Sequence, residues 1–130
     1  MSLSLRQHRT ERATSASLEA DQSYFSTVAA IDGLDDAQST TFTVKRWVEV
    51  GKQRVLHSEK YSVYQDDSRT AELLAYLDTY GIPADDVSSY IGRRERLTFG
   101  YEFRRNRLYL NIIEKEMVDT ANQSQDGDET

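Results

Sequence analysis

Apolar residues recur along this chain with two different periods. Tyr24, Phe25, Val28, Ile31 and Leu34 fall near helical spacing, with Asp21 or Ser23 as a cap and Gly33 as a stop. Asp32-Gly33 fits a hairpin turn as well. From Thr40 to Val50 the period drops to two. Phe42, Val44, Val48 and Val50 share one face, and Thr41, Thr43, Lys45 and Glu49 share the other. Gly51-Lys52 then turns the chain into a second β-branched and aromatic run from Arg54 to Tyr64, which predicts a hairpin.

Gln65-Asp66-Asp67-Ser68 breaks that strand and supplies caps for a helix over 69–79, whose apolar stripe is Leu73, Leu74, Leu77 and Tyr80. Gly81 ends it. Pro83, Asp85 and Asp86 open a second short helix closed by Val87, Tyr90 and Ile91. Beyond Gly92 the period is again two. Leu97, Phe99, Tyr101 and Phe103 alternate with polar or small residues, Arg105-Asn106 turns, and Leu108, Leu110 and Ile112 return. The predicted order is α-ββ-αα-ββ, a small single α+β domain whose antiparallel sheet carries helices on one face.

Flanking segments read differently. Residues 1–22 are Ser- and Arg-rich without a sustained apolar period and are expected to form a disordered arm. Residues 119–130 carry four acids and no base and are expected to be a disordered acidic tail. The domain is then 23–118. No apolar run approaches the ~18 residues a spanning helix needs, so no membrane role is expected. Cysteine is absent, which removes disulfides, thiol nucleophiles and Cys-ligated metals, and fits a cytoplasmic setting. The 130 residues carry a net charge of −6, with 12 Arg against 4 Lys. That bias fits a GC-rich genome or a salt-adapted acidic surface.

Little in the sequence points to catalysis. Of two histidines, His8 lies in the arm and His57 on the second strand, where a solvent-facing or hydrogen-bonded side chain is the expected state. No Gly-rich phosphate loop, H-E-x-x-H or calcium-loop spacing occurs. The acid pairs Asp35-Asp36, Asp66-Asp67 and Asp85-Asp86 all fall at breaks, where aspartate caps helices and makes turns. The positions two before Lys45, Lys52, Lys60 and Lys115 are not acidic, so the restriction-nuclease spacing is missing. The expectation is a protein that is not an enzyme and needs no cofactor or metal.

One stretch departs from the acidic whole. Arg93 to Tyr109 holds six arginines against two glutamates, a local charge of +4 in a chain of −6. The candidate binding residues are Arg93, Arg94, Arg96, Tyr101, Arg104, Arg105, Arg107 and Tyr109. Guanidinium groups grip phosphates bidentately and aromatic rings stack on bases, so nucleic acid, DNA or RNA, is the expected partner, narrowly ahead of a protein. The same face suits an acidic protein surface, or a second copy of the chain added through the hairpin or a sheet edge. Phe99, Tyr101 and Phe103 also share a face and fit an ordinary core.

Overall fold

The segment expected to open the domain as a helix is its central strand. The structure, a computed structural model, describes residues 18–118. Most of the expected arm and all of the acidic tail lie outside the described residues. Strand β1 (Gln22–Asp32) pairs antiparallel with β2 (Thr41–Val50) on one side and β4 (Arg94–Arg104) on the other. Its inward residues are Tyr24, Ser26 and Val28. A bulge at Ala29 then shifts the register, so that Ile31 rather than Ala30 lies opposite the inward Val44. Because position 26 is a serine and one extra residue is inserted, the apolar positions 24, 28 and 31 imitate a helical i, i+4, i+7 series. Asp32-Gly33 accordingly ends a strand, with Gly33 at φ +103°.

Strand β3 (Gln53–Ser62) follows β2 through the Gly51-Lys52 turn, and β5 (Arg107–Val118) follows β4 through Arg105-Asn106. Both turn residues of the latter have positive φ, 50° and 64°, as a two-residue hairpin matching the sheet twist requires. The sheet order is β3-β2-β1-β4-β5. Helix α1 (Ser68–Thr79) forms where expected. Asp67 caps it by accepting hydrogen bonds from the Arg69 and Thr70 amides, and Leu73 and Leu77 are buried. The second helix of the expected pair does not form; only a single 3₁₀ turn spans Val87–Tyr90. Asp86 there accepts hydrogen bonds from the amide and hydroxyl of Ser88, and such side chain to backbone bonding competes with helix in a segment too short to nucleate one. Among the described residues the fold is therefore a five-stranded antiparallel sheet with a single α-helix, not the helix-rich α-ββ-αα-ββ arrangement.

The sheet is sharply curled. In a flat sheet, edges four strand spacings apart would lie about 19 Å from each other. Yet Lys115 Nζ on β5 sits 3.2 Å from the Tyr61 hydroxyl on β3, and the rings of His57 on β3 and Phe99 on β4 are 5.1 Å apart. Bulges at Ala29 in β1 and near Ile113 in β5 provide the bend. The trough holds two apolar clusters. One, beside α1, gathers Val28, Phe42, Val44, Leu73, Leu77 and Tyr90 with their neighbours. The other gathers Leu18, Val48, Leu97, Phe99 and Ile112. Along β2 the inward series is Phe42, Val44, Arg46, Val48, so a charged side chain sits between the two clusters.

Candidate functional site

Strand β4 leaves the sheet part-way along its length. It pairs with β1 only as far as Phe99, and from Gly100 to Arg104 its sole partner is β5. The last five residues of β4 and the first of β5 form a two-stranded ribbon, reaching about 15 Å past the end of the β1 pairing. Burial follows that boundary. Phe99 is fully buried, whereas Tyr101 is 60% exposed, Phe103 69% and Leu108 61%. Alternation makes Phe99, Tyr101 and Phe103 alike candidates for core, and only the β1 neighbour makes Phe99 so. Tyr101 lies opposite Leu110 and Phe103 opposite Leu108, giving the ribbon one apolar side. Glu102 opposite Tyr109 and Arg104 opposite Arg107 form the other.

The eight candidate residues fall into two groups. Arg93, Arg94 and Arg96 stand at the base of β4, about 26–36 Å along the strand from Arg104 by extended-chain rise. Two of these are engaged. Arg94 makes two hydrogen bonds to Glu49, at 2.7 and 3.3 Å, with its guanidinium 4.8 Å over the Phe25 ring. Arg96 pairs with Glu116 at 3.1 Å. Arg93 is half-buried, and its amide donates to the Tyr90 carbonyl. The second group, Tyr101, Arg104, Arg105, Arg107 and Tyr109, is brought together on the ribbon. Arg104 meets Glu102 at 3.5 Å, and Arg105 and Arg107 make no ion pair among the described residues.

A second constellation escaped the sequence reading. Arg46 is fully buried and reaches three partners: Nε donates to Glu95 (2.7 Å), Nη1 to Glu59 (2.7 Å) and Nη2 to the Tyr90 hydroxyl (2.6 Å). The Tyr76 and Tyr90 hydroxyls both donate to Glu95 Oε2, and Tyr61 donates to Glu59. Lys115 Nζ donates to the Tyr61 hydroxyl. Burial would raise the Glu59 carboxyl, but Arg46, Lys115 and the Tyr61 hydroxyl hold it below the ordinary carboxylate value. Burial pushes Tyr61, Tyr76 and Tyr90 upward, so all three stay protonated as donors. Burial likewise lowers Lys115, against the pull of Glu59.

A cleft of about 410 Å³ opens beside this network, lined among others by Glu59, Tyr61, Arg69, Tyr76, Arg104 and Lys115. Both buried carboxylates are engaged by Arg46, which leaves neither as a ready proton acceptor. His57 is half-buried, with a lowered pKa from burial and from Arg46 and Lys115, and its Nδ1 has no hydrogen-bond partner among the described residues. Its imidazole lies edge-on to the Phe99 ring and is partly exposed rather than fully solvent-facing. No group of three or more His, Asp or Glu side chains that could hold a metal occurs among the described residues. A signal for the network does exist in the alternation itself. Arg46 has the parity of Val44 and Val48, Glu59 that of Tyr61, and Glu95 that of Leu97 and Phe99.

Among the described residues no helix is long and apolar enough to cross a membrane. Compared with protein-family models, with curated proteins and with solved structures, the chain matches none.

Proposed function

We propose that the chain is a macromolecule-binding protein that works through the β4–β5 ribbon, and that its partner is a protein surface of acidic character. The observation that carries this reading is the exposed apolar strip Tyr101, Phe103 and Leu108 on a ribbon that has passed the end of its pairing with β1. Exposed apolar side chains that cluster and are rimmed by charge mark interaction surfaces. Arg104, Arg105 and Arg107 at the tip supply the charge that selects an acidic partner. Binding rather than catalysis, in a cytoplasmic setting that makes no demand for disulfides, completes the proposal.

Nucleic acid is the second reading. It is favoured by Arg105 and Arg107, which make no ion pair among the described residues, beside Phe103 and Tyr109 as stacking surfaces. It ranks behind because Arg94 and Arg96 are tied to glutamates, and because Leu108 offers no stacking face. Filter binding to single- and double-stranded DNA and RNA at low and high salt separates the two. The protein reading expects no saturable binding that depends on Arg104 and Arg105. Saturable binding abolished by R104A/R105A would replace it with the nucleic-acid reading. If every association shown by the wild type survives in Y101S/F103S, the ribbon itself is not the binding element.

A further inference from the structure

The sheet curls far enough to bring its two outer strands close together, yet it does not close. Among the described residues β3 and β5 share no backbone pairing. Side chains bridge the gap instead, with Lys115 Nζ reaching the Tyr61 hydroxyl at 3.2 Å. The cleft of about 410 Å³ lies in this seam, and α1 contributes Arg69, Glu72, Leu73 and Tyr76 to its wall. Small-molecule sites enclose roughly 300–1,000 Å³, and the mouth of a curled sheet is one of the places where they recur.

The floor of the cleft holds hydrogen-bonding capacity that the buried network leaves unused. Glu59 lines the cleft although only 8% exposed. Arg46 and Tyr61 both donate to its Oε1. Its Oε2 accepts no hydrogen bond among the described residues, and Arg69 Nη2 stands 3.9 Å from it, beyond hydrogen-bond reach. Lys115, 18% exposed, has the opposite surplus. An ammonium carries three donors, and this one spends a single hydrogen bond, on Tyr61. Lys115 Nζ lies 3.6 Å from Glu59 Oε1, so a spare anionic acceptor and spare cationic donors sit side by side. The charges of Arg46, Lys115, Glu59 and Glu95 cancel, so the floor suits a ligand that brings both signs rather than a net charge.

We propose that this cleft binds a free α-amino acid with an aliphatic side chain, its ammonium on Glu59 Oε2 and its carboxylate on Lys115 and Arg69. An α-amino acid carries its two charges on neighbouring groups, as the cleft floor does. Hydrogen bonds between charged partners are the strong kind, and both ends of the ligand make them here. Arg69 is already oriented: its Nη1 donates to the Lys60 carbonyl and its guanidinium lies 4.7 Å over the Tyr61 ring. Leu73 and Ile112 line the cleft and offer apolar contact to the ligand side chain. Glu72 and Glu114 also line it, are exposed, and make no side-chain hydrogen bond or ion pair among the described residues. They repel a second negative charge, which selects against acidic amino acids and phosphates. The site uses none of Tyr101, Phe103 and Leu108, so it stands or falls independently of the ribbon.

Calorimetric titration of the full chain with L-leucine tests this. Binding should saturate at concentrations up to about 10 mM, a range that fills even a millimolar site. Two half-ligands, 3-methylbutylamine without the carboxylate and 4-methylpentanoate without the ammonium, should each bind at least about tenfold more weakly, through loss of one charge-assisted contact. L-Glutamate should also bind more weakly than L-leucine. In the protein, K115M should weaken L-leucine at least about tenfold. Because K115M also disturbs the buried network, R69M at a half-exposed position gives a second reading: L-leucine weakened about fivefold, with the urea midpoint of the free protein close to the wild type. No saturable binding of L-leucine overturns the proposal. So does a half-ligand or L-glutamate that binds as tightly as L-leucine, since the cleft would then not read both charges of a neutral amino acid. An L-leucine affinity unchanged in R69M places the amino acid elsewhere and overturns it too, whether or not K115M folds.

Discussion

Arg46 shows what a single inward charge costs and contributes. Its guanidinium lies between two buried carboxylates and a buried tyrosine, with no exposure of its own. An ion pair of this kind is weak evidence of net stability, because desolvation opposes the Coulomb gain. Removing one member is a different matter, since the others are left buried and uncompensated. R46M should lower unfolding free energy by about 3–5 kcal/mol in urea titration, well beyond the roughly 1.5–3 kcal/mol for Y76F, which removes one hydrogen bond to a charged group. A loss for R46M no larger than that for Y76F would show that the network relaxes or takes in water. The same groups set a pH dependence. His57 has a folded pKa below its ordinary 6.5 and Glu59 one below its ordinary 4.5, so in each window the unfolded chain binds more protons. The contribution of these two groups is therefore complete above about pH 6.5, declines as His57 enters its window, and declines again below pH 4.5. A urea midpoint unchanged between pH 7 and 5 would contradict the buried placement of His57, and H57F should flatten that upper segment alone.

Elements in this chain are decided where local preference meets a neighbour. The β1 segment has aromatic and β-branched residues suited to a strand, but its bulge breaks the alternation by which strands are recognised. Gly33 closes it with two constraints at once: φ of +103°, and a backbone approach that would set a Cβ 2.8 Å from the Thr41 carbonyl oxygen. G33A should destabilise by more than the ~1 kcal/mol of an ordinary unfavourable glycine replacement, because neither the φ nor a backbone oxygen can yield cheaply. A thermal midpoint equal to the wild type would mean that the β1–β2 loop re-forms around the added methyl group. The hairpins, by contrast, follow their sequence closely. Their turns are two residues long, and the residues flanking each turn pair without a register shift, from Val50–Gln53 back to Thr41–Ser62 and from Arg104–Arg107 back to Phe99–Ile112.

At the scale of the molecule, apolar content and charge are arranged along one axis. Three aspartate pairs stand at the loop end, the Arg46 network lies between the two apolar clusters, and three arginines stand at the ribbon tip. Identical residue types mean different things at different points on that axis. F99A should cost about 3–5 kcal/mol as a core truncation, whereas F103S should leave the denaturation midpoint within about 0.5 kcal/mol of the wild type. A large loss for F103S would place the ribbon against the body of the protein and remove it as a binding element. Salt should raise the stability of the chain by relieving repulsion among the exposed acids that give it a net charge of −6.

Local pattern by itself determined both hairpins, helix α1 and its Asp67 cap, the turn-forming role of the acid pairs, and the concentration of arginine between Arg93 and Tyr109. Each of these rests on contacts between residues near in sequence, or on a period that one element imposes alone. The tertiary structure decided the rest. Only pairing with β2 and β4 makes β1 a central strand, and only the end of that pairing divides buried Phe99 from exposed Tyr101 and Phe103. Curling of the sheet carries Lys115 to Tyr61, and the buried Arg46 draws Glu59 and Glu95 from two other strands to one point. These are contacts between distant segments, and no window along the chain contains both partners.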